Sequence, residues 1–428
     1  MRDKKLAAAL LAAVMLAGCS ASPLSSDIET LLRAPQLTGQ TAAVQNALNS
    51  YLGISATLRY PASGEFLSPF LFGDWDGDGE AAVLYTSDAS TNVWLAILEA
   101  TDEDSWRVSQ TIEGLSGEVE SVTYAHLRDS ESQQILVGYG SAQGDKYLVV
   151  YLYDEETLQT VISQQYTHMI VADMTGSDET EDLVLALPSD SEDGVNLQLL
   201  TNTPDGFRSA QTTKVGSGRY TGCAALHAGT GGNPWLIMDG WTSTAQNSIA
   251  TSIIVYDQET GFLSSYDPPG AGDLSRTTLR YDTALVSTDV DGNGSIDIPM
   301  ELNDGGELVS PLDSRLKFLL WRDYDDSDGS SDCFGIYDSE YRYFIPLPES
   351  MHGNILIRSN GSGTGWLICN AEGTSIYCEI RVVDPSEVNS DNYSRIANIG
   401  NQQLQFRLIR SYYGLDVVEL QKGVVLFE

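Results

Sequence analysis

The stretch Thr288-Asp289-Val290-Asp291-Gly292-Asn293-Gly294, leading into Ile296-Asp297-Ile298, decides how this chain of 428 residues is read. It is a polar turn rich in Asp and Gly, followed at once by an apolar strand. The same landmark stands at Phe72-Gly73-Asp74-Trp75-Asp76-Gly77-Asp78-Gly79 before Ala82-Val83-Leu84-Tyr85, and at Ala125-His126-Leu127-Arg128-Asp129 before Ile135-Leu136-Val137-Gly138. It returns at Ala172-Asp173-Met174-Thr175-Gly176 before Leu183-Val184-Leu185, and at Leu226-His227-Ala228-Gly229 before Trp235-Leu236-Ile237. Successive copies lie 47 to 62 residues apart. A second landmark, a strand ending in a polar turn, keeps step with the first: Tyr147 to Tyr153 before Asp154-Glu155-Glu156-Thr157, and Ile253 to Tyr256 before Asp257-Gln258-Glu259-Thr260-Gly261. Each repeat therefore holds about four short strands, and four-stranded repeats predict an all-β chain built as a β-propeller. A β-sandwich whose hairpins merely look alike is the alternative.

Five repeats are recognisable, and the region from 341 to 428 would bring the ring to seven if it forms two degenerate blades. It would instead form a small appended β-rich module if the run Tyr343 to Glu349 opens one. The propeller body is placed at 54–340. The strand Ser55 to Tyr60 precedes the first repeat and is expected to complete the last blade, which would remove an exposed sheet edge. Ahead of it, Val44, Ala47, Leu48, Tyr51 and Leu52 fall on one face of a helix predicted over 38–52.

The N-terminus bears on compartment. Arg2, Lys4 and Lys5 precede a short apolar run, Leu6 to Leu16, and then Leu16-Ala17-Gly18-Cys19. A basic start, a short apolar run and small residues read as a secretory signal over 1–18. Leu-Ala-Gly-Cys resembles the bacterial lipobox, which implies a lipid thioether on Cys19 and an extracytoplasmic protein tethered to its membrane. Residues 19–53 then serve as anchor spacer and helix. With 60 acidic against 23 basic residues, a formal charge of −37, the chain repels phosphate backbones, so nucleic acid is not an expected partner. Hydrophobic residues make up 42% of it, with 21 Tyr and 7 Trp, enough to bury a core and exclude an acidic disordered segment.

Asp289, Asp291, Asn293 and Asp297 occupy positions 1, 3, 5 and 9 of one tight turn, and the carbonyl of Ser295 adds a fifth oxygen. Oxygen cages of this kind suit calcium. A strand follows where an EF-hand would have a helix, and Met300 stands where it would have Glu. The pattern resembles the calcium loops of FG-GAP or VCBS-type repeats, as in integrin α-subunit propellers, over roughly 66–338. The resemblance carries the family's ligands fully onto Asp289, Asp291, Asn293 and Asp297. At the first copy it carries them onto Asp74, Asp76 and Asp78, with Ala82 at position 9, so that water or Glu80 would have to substitute. The third copy keeps one carboxylate, Asp173, and the copies at His126 and His227 lack a carboxylate set, so no calcium is expected in the latter two. The expected role of the ion is structural.

Four cysteines remain: Cys223, Cys333, Cys369 and Cys378. A two-residue turn at Gly373-Thr374 would set Cys369 opposite Cys378 for a disulfide, and a shift of one residue would leave buried thiols. Gly-x-Ser-x-Gly, His-Glu-x-x-His and Walker motifs are absent from the sequence, and His126, His168, His227 and His352 read as structural. The expectation is thus a non-enzymatic, lipid-anchored propeller that binds protein or glycan, with Trp241 and the acidic insert Asp323 to Asp332 as loops of interest. A propeller hydrolase or lyase acting on cell-surface polysaccharide is the alternative, and an envelope-assembly scaffold a third.

Overall fold

Short runs rich in Val, Ile, Leu and Tyr, bounded by Gly, Asp, Asn or Ser, fold as antiparallel strands joined by turns. The computed structural model describes residues 39–427 apart from 74, 76–79, 88–89, 103–104, 177–179, 190, 204–206, 230–234, 325–330, 388–391 and 413. Two compact units divide the chain: residues up to Ala56 with Ala100–Val108, and Thr57–Glu99 with Ser109–Glu428. In the first, helix α1 runs Gln40–Leu52, buries Val44 and Leu48 one turn apart, and ends at Gly53, whose φ of 70° lets its N–H reach the Asn49 carbonyl. Tyr51, assigned by spacing to the same stripe, is exposed.

Six sheets are described. The first holds β1 (Thr57–Leu58), β2 (Phe70–Gly73), β3 (Glu80–Thr86), β4 (Trp94–Asp102) and β5 (Ser105–Glu113). The second holds β6 (Glu118–Ala125), β7 (Gln134–Gly140), β8 (Lys146–Asp154) and β9 (Thr157–Tyr166), in chain order. The third holds β10 (His168–Ala172), β11 (Asp182–Leu187), β12 (Val195–Thr201) and β13 (Arg208–Val215). In the fourth are β14 (Gly222–Ala228), β15 (Trp235–Trp241), β16 (Ile249–Asp257) and β17 (Phe262–Tyr266), and helix α2 (Leu274–Thr277) follows. The fifth sheet runs β18 (Ile298–Leu302), β20 (Leu316–Arg322), β21 (Cys333–Asp338), β22 (Tyr343–Pro346) and β28 (Val425–Leu426). The sixth runs β19 (Glu307–Leu308), β23 (Ile355–Ser359), β24 (Gly365–Asn370), β25 (Ile376–Val383), β27 (Gln402–Leu408) and β26 (Ser394–Ile399), with helix α3 (Val417–Gly423) after it.

The chain is therefore all-β with repeated four-stranded meanders, as the recurring turns predict. Apolar clusters join the sheets in chain order. Trp75, Leu84 and Leu95 meet Val137, Tyr139 and Tyr151 between the first and second. Leu136 and Leu148 meet Leu183 and Leu185 between the second and third, and Val184 and Leu197 meet Leu236 and Ile254 between the third and fourth. Ile237 and Ile253 meet Ile298, and Phe318, Phe334 and Ile336 meet Trp366, Ile368 and Ile380. Large side chains buried this way contribute about 1.5–3 kcal/mol each.

One expectation changes. The strand before the first repeat does not complete the last blade: Thr57 and Leu58 pair with Thr86 and Tyr85 of β3, sharing one edge of it with β2. Beyond residue 340, β22 and β28 join the fifth sheet, β22 pairing with β21 and β28 with β22, while β23 to β27 lie in the sixth. Of the two arrangements open for Cys369 and Cys378, the structure takes the buried thiols. A bulge sets Cys369 opposite Ile376 and Cys378 opposite Ile368, because the turn spans Asn370 to Ser375, and both thiols are free and buried. Among the described residues no helix is long and apolar enough to cross a membrane.

Candidate metal centre

Two glycines in the left-handed region, Gly292 at φ 78° and Gly294 at φ 94°, fold the segment between Thr288 and Asp297 back on itself. Thr288 and Asp297 exchange both backbone hydrogen bonds across the turn's base, at 3.1 and 3.0 Å. Asp289 accepts from the N–H groups of Gly292 at 2.7 Å, Asn293 at 3.1 Å and Gly294 at 2.9 Å. Asp291 accepts from the Asn293 backbone at 3.0 Å and from its side-chain amide at 3.2 Å, while Asn293 Oδ1 takes the Ser295 N–H at 2.7 Å.

One oxygen each from Asp289, Asp291 and Asp297 lies within 4.8 Å of the others. Two oxygens on one calcium ion, each at 2.3–2.6 Å, are at most about 5 Å apart, so the three fit around a single hard cation. Asp297 is fully buried. Its Oδ2 accepts from Val290 N–H at 2.9 Å, but its Oδ1 has no hydrogen-bond partner among the described residues. A buried carboxylate oxygen without a donor is costly unless a cation completes it. Burial first, then the charges of Asp291, Asp323 and Asp289, push the Asp297 carboxyl up to about 7. Burial also raises Asp291. In the metal-free fold the ionised Asp297 is therefore destabilising, and a divalent ion would reverse that sign.

The structure thus brings Asp289, Asp291 and Asp297 together. Asn293 stands beside them as a strut on Asp291, and Ser295 donates its N–H to that strut. Asp74, Asp76, Asp78 and Cys19 lie outside the described residues. Spacing missed Asp323, which is buried at the end of β20. Ile298 pairs with Arg322, so one further step along the register sets Asp323 opposite Asp297.

What holds the loop in place was also not evident from the sequence. Ser287, two residues ahead of Asp289, gives its N–H to Asp239 Oδ2 at 2.6 Å. Asp239 is itself held by the buried Arg280 guanidinium at 2.6 Å, and Arg280 binds Thr251 at 3.0 Å and the Thr278 carbonyl at 2.9 Å. This fully buried pair ties the loop's leading segment to β15 and β16.

A common anchor underlies four of the five turns. In the fifth sheet Asp297 accepts from Val290 N–H. Glu80 accepts from Trp75 N–H at 2.7 Å, Gln134 from Leu127 at 2.7 Å and Asp182 from Met174 at 2.9 Å. In each case the residue whose N–H is held has its side chain buried. The acceptor sits at or just before the outgoing strand and turns the second residue of the loop into the core. Glu80 is thus the first copy's counterpart of Asp297. Two of these four turns also close on themselves: Asp129 accepts from Ser132 N–H at 2.7 Å and Asp173 from Gly176 N–H at 2.8 Å.

No protein-family model matches the chain, and no curated protein matches it. Among solved structures, it is similar to the rhamnogalacturonan lyase YesW, at 11% identity and a TM-score of 0.24 over 64% of this chain and 61% of that one. It is similar also to the Bacillus licheniformis rhamnogalacturonan lyase PL11, at 11% identity and a TM-score of 0.27 over 81% and 80%. A third is MPT-4, a mannose phosphorylase from Leishmania mexicana, at 9% identity and a TM-score of 0.26 over 68% and 95%. The chain thus spans less than two thirds of the first lyase's length.

Proposed function

We propose that this chain is a non-enzymatic binding or scaffold module, tethered outside the cytoplasmic membrane through Cys19, whose sheets are propeller blades of the FG-GAP/VCBS type. Its partner is a protein or glycan, and calcium is its structural ion. One observation carries the metal reading: Asp297, whose buried Oδ1 has no donor among the described residues, gathers with Asp289 and Asp291 so that one oxygen of each lies within 4.8 Å of the others. The other loop oxygens are tied to the loop's own N–H groups, so an ion here would staple the turn rather than present an open position to substrate. The lipid anchor and compartment are supported by the residues around Cys19.

The test is thermal unfolding of the protein with millimolar calcium and then with excess chelator. An ion that binds only the folded state raises the midpoint, by ~2.7 kcal/mol of stabilisation at a hundredfold over Kd. The rise should vanish in an Asp289→Ala, Asp291→Ala double variant. An unchanged midpoint at millimolar calcium would reduce the turn to a solvated loop and remove the metal from the proposal.

A further inference from the structure

The sixth sheet packs one face on the fifth, through Cys378, Ile380, Val382, Leu404 and Phe406. Its other face has a different composition. Register places Arg358, Leu367, Glu379 and Arg407 in one row across β23, β24, β25 and β27. The adjacent row runs Gly365, Arg381, Gln405 and Arg395 across β24, β25, β27 and β26. Since side chains two apart on a strand share a face, four arginines stand together with Glu379 as the acid in these two rows. Asp384 lies exposed just beyond the end of β25. In a chain with 23 basic against 60 acidic residues, this grouping reverses the prevailing sign.

The arginines are held in place. Arg407 pairs with Glu379, which also accepts from Asn360 at 2.8 Å. Arg381 donates to Gln405 at 2.8 Å, and its guanidinium lies 3.5 Å from the centre of the Tyr393 ring, with that of Arg407 at 4.8 Å. Arg395 is exposed, and Arg407 is 37% exposed. From β23 to β26 the cations cross four strand spacings, about 19 Å.

We propose that this face binds a linear carboxylated polysaccharide lying across the strands. Guanidinium forks match carboxylates, and the half-buried amide of Gln403, one row further along the same face, matches sugar hydroxyls, while the buried Gln405 serves to hold Arg381. The rest of the molecule selects for a thin polymer. A charged membrane or a second copy of this chain sets an extended anionic surface against the acidic remainder of the protein. A single polymer strand engages the basic face alone, and beyond ~8 Å the opposing charges are screened at physiological salt. The proposal names a ligand class for the binding role above but does not depend on the metal loop.

The test uses the whole chain in sodium buffer without added calcium, with alginate as probe, dextran as the uncharged control and phosphatidylglycerol vesicles as the anionic surface. Expected are saturable binding to alginate that weakens with salt, no binding to dextran, and about tenfold loss in an Arg358→Gln, Arg395→Gln double variant with an unaltered melting curve. Should the double variant fail to fold, Arg395→Gln alone, at an exposed site, must still weaken binding, and Arg395→Lys must restore part of it. Absence of alginate binding, equal binding by the variants, or preference for vesicles or dextran would overturn the proposal. None of these outcomes bears on the calcium-dependent melt.

Discussion

At Asp297 the two carboxylate oxygens have separate environments: Oδ2 fixes the Val290 N–H, and Oδ1 is buried without a donor among the described residues. Replacing it with asparagine keeps an acceptor for Val290 and removes the charge that burial opposes. In chelator, Asp297→Asn should therefore raise the unfolding midpoint, by on the order of 1 kcal/mol, while the response to calcium disappears. A lowered midpoint together with a retained calcium response would refute this account. The three carboxylates were legible in the sequence because ligands within one turn are local and spacing alone positions them. Asp323 was not, because its approach depends on how β20 registers on β18. The anchoring roles of Glu80 and Asp182 were hidden for a related reason, since a single acid before a strand has no distinguishing spacing.

At the scale of elements, strands and turns followed the apolar runs and the Gly/Asp punctuation closely. What sequence concealed was pairing: β19 and β28 are two residues each and carry no periodicity, so their partners in the sixth and fifth sheets are decided by packing. Glycine inside a strand is a second such case. Gly240 in β15 lies under the Tyr220 ring, and a Cβ there would sit 2.3 Å from it. Tyr220 is fully buried, with its hydroxyl 2.8 Å from that of Ser252. Gly240→Ala must displace the ring and break that contact, at a cost of roughly 1–3 kcal/mol in chemical denaturation. Wild-type stability in the variant would show that the ring is not seated on the strand.

For the whole molecule, acid stability follows from half-buried imidazoles as well as carboxylates. His168 opens β10 and His227 lies in β14, and burial is the first cause lowering both below the ordinary 6.5. The unfolded chain takes up protons there near pH 6.5, whereas the folded chain resists until lower pH. Stability should therefore fall as pH drops below about 6.5, and His168→Gln with His227→Gln should flatten that part of the profile in denaturant titrations. An unchanged slope in the double variant would assign acid sensitivity elsewhere. The charge balance and the repeat were legible in the sequence at this scale. The strand exchange between the fifth and sixth sheets was not, since it depends on contacts between residues far apart in the chain.

That exchange has a kinetic consequence. The fifth sheet takes β28 from beyond the sixth, and the sixth takes β19 from within the fifth, in parallel with β23. Neither sheet can be completed before the other is largely assembled, so the loop-closure entropy of both is met in one late step. The two should open as a single foldon. Amide protons of β20, β21, β24 and β25 are expected to exchange with one common opening free energy, apart from those of the second and third sheets, whose strands follow one another without interruption.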